Sequence, residues 1–126
     1  MAEKQTFNVS HDDPASFQSG LRSYARYRDL GMAAATSGAA VAHVIRFVPP
    51  CTDEVRQWHT HDVQFQMIYV LKGWLVTEME GRKPEKMSVG SAWLQPPGIK
   101  HRVTDYSGDC EVLEVVLPAN FETAML

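Results

Sequence analysis

The chain has 126 residues and a formal net charge of −3, from 12 basic and 15 acidic side chains. That length is one ordinary domain, able to bury about two-thirds of the surface its unfolded form exposes. A mildly acidic balance without a basic run leaves no electrostatic footprint for nucleic acid or an anionic membrane, and both are set aside as partners.

The start, "MAEKQTFNVSHDDPASF", is polar and lacks the apolar core of a secretory signal, so a cytoplasmic, soluble protein is expected. Residues 1–22 read as an N-terminal arm, with turn formers at Asp12-Asp13-Pro14 and Gly20 and a solvated His11. In "LRSYARYRDL" the side chains alternate as in a strand with mixed faces, and "GMAAATSG" fits a single helical turn closed by Gly38. The run "GMAAATSGAAVAHVIRFVPPC" is too poor in large apolar residues to span a membrane. From residue 40 onward the pattern is almost wholly β. Residues 40–48 are rich in β-branched residues and stop at Pro49-Pro50, which cannot donate ladder hydrogen bonds. Residues 65–71 and 74–80 flank a hairpin turn at Lys72-Gly73. "EKMSV", residues 91–95, 101–106 and 110–117 complete the set, and 119–126 is read as a C-terminal tail. Many short strands at close spacing predict an all-β domain over residues 23–118, an antiparallel sandwich or barrel of jelly-roll type. Cys51 and Cys110 have neither metal-type nor disulfide-framework spacing and read as free thiols.

His59 and His61, at i and i+2 on a strand, point to one face and can reach one ion. Surface His-x-His pairs also arise by accident, so the pair alone is weak evidence. A third histidine, His101, follows "PPGIK" at the start of a separately predicted strand. Together, "HTHDVQFQMIYVLKG" and "GSAWLQPPGIKH" resemble the two motifs of the cupin superfamily, the small jelly-roll barrels. The first motif runs His-x-His, then an acidic position that here is Gln66, then Gly73. The second runs from Gly90 through Pro96-x-Gly98 to His101, with Asp105 where asparagine often stands.

The resemblance implies a cupin jelly roll holding one divalent transition metal ion (Zn, Mn, Fe or Ni, with copper also possible) on His59, His61, Gln66 and His101. Residue parity supports a bend between His61 and Gln66, because an odd separation would otherwise put them on opposite faces. A carboxamide in place of a carboxylate leaves more charge on the ion, which favours Lewis-acid work on carbonyl or hydroxyl groups. The resemblance tolerates glutamine, since members that open unsaturated uronate sugars to their keto forms carry three histidines and a glutamine. Gln66→Glu is expected to tighten metal binding. Ordinary imidazoles would release the metal below about pH 6 to 6.5.

Glu114 lies between Val112 and Val116 on one strand face, where a carboxylate is costly unless paired or in a wet cavity. It is a candidate general acid or base, against a salt bridge with Arg46. Glu111, at the strand start, is read as solvated. His43 could line the pocket mouth, though a hydrogen-bonded core histidine is commoner. Trp58, Trp74, Trp93, Phe65, Tyr69 and Tyr106 could wall a cavity or simply pack. Because both faces of strand 65–71 are apolar, a homodimer is expected. The functional expectation is an isomerase or lyase acting on a small oxygen-rich substrate. An iron-dependent dioxygenase and a non-catalytic ligand-binding module are the alternatives, and a vestigial, metal-free barrel is the bland one.

Overall fold

The computed structural model describes residues 4–20 and 22–126. A short 3-10 turn, Pro14–Ser16, is capped by Asp13, whose carboxylate accepts from the Ala15 N–H. Then come β1 (Gln18–Ser19), β2 (Ala25–Asp29) and one helical turn, α1 (Met32–Ala35). The strands continue as β3 (Val41–Phe47), β4 (His59–Asp62), β5 (Phe65–Lys72), β6 (Trp74–Met79) and β7 (Glu85–Ser88). They end with β8 (Ala92–Leu94), β9 (His101–Tyr106), β10 (Glu111–Leu117) and β11 (Glu122–Met125). No helix among the described residues is long and apolar enough to cross a membrane.

The strands form two antiparallel sheets, ordered β1-β2-β3-β10-β5-β8 and β11-β4-β9-β6-β7. This is the all-β jelly roll expected from strand spacing. Alternation then decides what meets inside. In the first sheet Val112 pairs with Ile45 and Val70. These three, with Phe47, Ile68, Leu75 and Tyr106, belong to the buried apolar core. Two residues further along β10, Glu114 pairs with His43 on one side and Ile68 on the other, while Gln66 lies diagonally across. An apolar rung therefore gives way to a polar one on the same inner face. In the second sheet His59 is directly opposite His101.

Two glycines fix the motif loops. Gly73 has φ +64°, and a Cβ there would collide with Ser107 Oγ, which accepts from the Trp74 N–H at 2.9 Å. Gly98, at φ +74°, donates its N–H to the His61 carbonyl at 3.1 Å, tying the Pro-rich loop to β4.

The two cysteines are free, with Cys110 fully buried. Trp93 faces the cavity and Tyr106 the core. Trp74 and Trp58 instead stack under Lys86 and Arg102, and Phe65 and Tyr69 are over a third exposed on the outer face. The last eight residues, expected as a tail, include a strand: β11 pairs with β4, bringing Thr123 opposite His61.

Candidate metal centre

His59 and His61 come from β4, His101 from the first position of β9, and one ring nitrogen of each lies within 4.8 Å of the others. Each ring is oriented from behind. His59 Nδ1 is 3.0 Å from the Gln57 carbonyl, His101 Nδ1 is 3.0 Å from the Ile99 carbonyl, and His61 Nδ1 is 2.8 Å from Thr123 Oγ1. A carbonyl can only accept, so in His59 and His101 the proton sits on Nδ1 and Nε2 carries the lone pair. Consistent with this, His101 Nε2 accepts from the Gln95 amide at 3.3 Å, whose own oxygen accepts from Trp93 Nε1 at 3.0 Å. Three neutral imidazoles, each held from behind through Nδ1 and two of them by carbonyl acceptors, are the donor set a first-row divalent ion takes. The residues present fit such an ion.

Burial, then the neighbouring imidazole charges, lower the pKa of His59 to about 3 and of His61 to about 4; burial also lowers His101. The unfolded imidazoles take up protons near 6.5, whereas the folded ones do not until far lower. Between those values the unfolded state binds more protons, so stability falls as pH falls. The contribution is complete above about pH 6.5. For His59 alone it is on the order of 5 kcal/mol, at about 1.4 kcal/mol per pH unit. The expectation of metal release below about pH 6 to 6.5 therefore moves: in the folded chain the imidazoles remain free bases past that point. Metal content and circular dichroism followed together from pH 7 to 4 should be lost together. Release near pH 6 from a still-folded chain would contradict the burial of these rings.

Gln66 reaches the same cavity from β5, after the bend at residues 63 and 64 that its parity required. Its Nε2 donates to Glu114 Oε2 at 2.8 Å, and His43 Nε2 stands 2.7 Å from Glu114 Oε1. The amide nitrogen is thus committed to the carboxylate, and the carbonyl oxygen is the end of Gln66 with lone pairs to offer. The salt bridge weighed for Glu114 with Arg46 does not form: Arg46 binds Glu111 at 2.9 Å, and Lys72 approaches the same carboxylate at 3.9 Å. Glu111, read as solvated, is consequently buried and paired. Burial raises the Glu114 pKa, but the His43 hydrogen bond and charge, with the Gln66 amide, outweigh it and hold the carboxyl below its usual 4.5. Hydrogen bonds to a charged group are worth about 1.5–3 kcal/mol each. Two of them only about offset the several kcal/mol of burying the carboxylate. Stability therefore supplies little reason for placing Glu114 here.

These groups share one cavity of about 380 Å³, whose other walls include Tyr27, Ile45, Phe47, Leu75 and Trp93. Sequence reasoning missed Arg22, Gln95, Thr123 and the partnership of His43 with Glu114. Only the inward parity of residues 43 and 114 on their strands hinted at the last.

The Cupin domain family matches residues 48–116. KdgF from Halomonas sp. has a similar solved structure, at 21% identity and a TM-score of 0.68, covering 91% of this chain and 96% of that one. The polyketide cyclase RemF from Streptomyces resistomycificus is similar at 17% identity and TM-score 0.70, covering 94% and 85%. Salicylate 1,2-dioxygenase from Pseudoaminobacter salicylatoxidans, at 8% identity and TM-score 0.68, is matched over 86% of this chain and 30% of its own. Comparison with curated proteins gives no match.

Proposed function

Because the chain belongs to the cupin domain family, we propose that it is a metal-dependent enzyme performing isomerase- or lyase-type chemistry on a small oxygen-rich metabolite. In this reading His59, His61, Gln66 and His101 hold one divalent transition metal ion and Glu114 moves a proton. The observation that carries it is the meeting, in one cavity, of three imidazoles anchored through Nδ1 and an ionised carboxylate whose burial stability does not explain. A similar fold serves a cyclase and a dioxygenase, so the fold alone selects no reaction.

A cation bound there would act as a Lewis acid on a substrate carbonyl or hydroxyl oxygen. Glu114, held below 4.5, is ionised at neutral pH and accepts a proton. Its two oxygens each keep lone pairs beyond those used by His43 and Gln66. Tyr27, raised to about 12 by burial and then by the Glu114 charge, keeps its phenolic proton and packs edge-on against His43 at 5.0 Å, fixing that ring. The apolar walls keep bulk water from the carboxylate, which strengthens its interactions.

The outer face of β5 and β8 carries Phe65, Tyr69, Leu71 and Leu94 at 36–56% exposure, which supports a homodimer formed through that face. Elemental analysis of protein purified without added metal, with a test of oxygen consumption, checks the functional reading. Zinc or manganese near one per chain, without oxygen uptake, is the expected result. Iron with uptake would instead favour oxygenation, and no metal at all would leave at most a binding module.

A further inference from the structure

Arg28, Arg46, Arg56, Arg82 and Arg102 each pair with a carboxylate. Arg22 and Arg26 do not, among the described residues, and of these two it is Arg22 that lines the metal cavity. It stands in the turn between β1 and β2. One of its terminal nitrogens donates to the Tyr24 hydroxyl at 2.5 Å and the other contacts the Met125 sulfur at 3.6 Å. Both partners are neutral, so the guanidinium charge is oriented but not compensated.

The one carboxylate in the cavity wall among the described residues, Glu114, is already taken by His43 and Gln66. Arg22 lines the same cavity as His59, His61 and His101. A cavity with a divalent ion, one uncompensated guanidinium and one carboxylate carries net positive charge. Field lines focused in such a low-dielectric cleft raise the local concentration of anions.

The geometry of the cation narrows the anion. A guanidinium offers parallel N–H donors that match the two oxygens of a carboxylate. One such group beside a neutral tyrosine hydroxyl balances a monoanion. A phosphate ester, nearly dianionic at neutral pH, is usually held by several cations or by backbone N–H groups at a helix N-terminus. Among the described residues Arg22 is the sole arginine or lysine in this wall, and α1 does not contribute to it.

We propose that Arg22 is a specificity-determining residue that pairs with a carboxylate of the substrate, so that the metabolite taken here is a small organic acid. The proposal rests on the reading of this cavity as the substrate site, and it excludes a neutral polyol or a phosphate ester as the preferred ligand.

The test compares gluconate, sorbitol and sorbitol 6-phosphate as probes, titrated calorimetrically into the wild type, Arg22→Gln and Arg22→Lys, each with metal and after chelation. Metal content is measured on the same samples. Wild type should prefer gluconate to sorbitol. Arg22→Gln should weaken gluconate about ten- to a hundredfold, leave sorbitol and metal content unchanged, and be partly rescued by lysine. Absence of gluconate binding to wild type, equal loss for gluconate and sorbitol, or a preference for the phosphate ester would each overturn the proposal. A metal-free wild type would sink the functional reading instead. The wild-type to Arg22→Gln ratio for gluconate, read on the chelated samples, decides the role of Arg22 in that event.

Discussion

His101→Ala should reduce metal affinity about a hundred- to thousandfold and leave a folded, largely metal-free chain after dialysis. Structural zinc sites with four ligands bind with about 10–16 kcal/mol, so an average ligand is worth about 2.5–4 kcal/mol. His101 is the one imidazole supplied by β9, whereas His59 and His61 share β4. Its removal takes away the link between the two strands at the site while the backbone pairing of residue 59 with 101 persists. The emptied space is lined by Gln95 and the other rings and is polar enough to admit water, which limits the folding penalty. Metal stoichiometry after gel filtration, with circular dichroism as the check on folding, reads the result. Unchanged affinity in a folded variant would remove His101 from the ligand set.

The parts of this molecule that were legible in the sequence are those encoded over short spans. Strand parity placed β3, β5, β6, β9 and β10 within about a residue of their observed ends, because alternation and the Pro and Gly stops act locally. The convergence of His59, His61 and His101 was legible for a similar reason: motif spacing around Gly73 and Gly98 encodes turns whose φ values the structure shows to be positive. What escaped depends on register between strands far apart in the chain. His43 meets Glu114 across 71 positions, and Thr123 meets His61 across 62. Local sequence carries no signal of which distant side chain each of these will meet. Arg22 escaped because a turn between an edge strand and its neighbour gives no periodic signal of which way it faces. Glu111 was misplaced because its position at the strand start suggested solvent, while Arg46 on the neighbouring strand covers it.

The identity of residue 66 follows from Glu114, and this reverses the expectation that Gln66→Glu simply tightens metal binding. In the wild type an amide N–H faces the Glu114 carboxylate at 2.8 Å. A second carboxylate there would meet it oxygen to oxygen. Two charges at that distance repel by about 6 kcal/mol at an effective dielectric of about 20, unless one takes up a proton. The Gln66→Glu variant should therefore bind a proton at neutral pH, which by linkage costs up to about 4 kcal/mol of stability in the metal-free state, and the protonated group gains no charge for the metal. Glu114→Gln in the same chain restores the pairing with its sense reversed. The new amide nitrogen donates to the carboxylate introduced at position 66, its oxygen faces His43, and the negative charge now sits beside the metal ligands. The double variant should recover most of the lost stability, with a coupling of about 1–3 kcal/mol, and bind metal more tightly than either single variant. Urea unfolding of the metal-free proteins and metal titration of all four measure both arms of the cycle. Additive effects, with Gln66→Glu alone stable and binding most tightly, would show that the amide and the carboxylate do not meet.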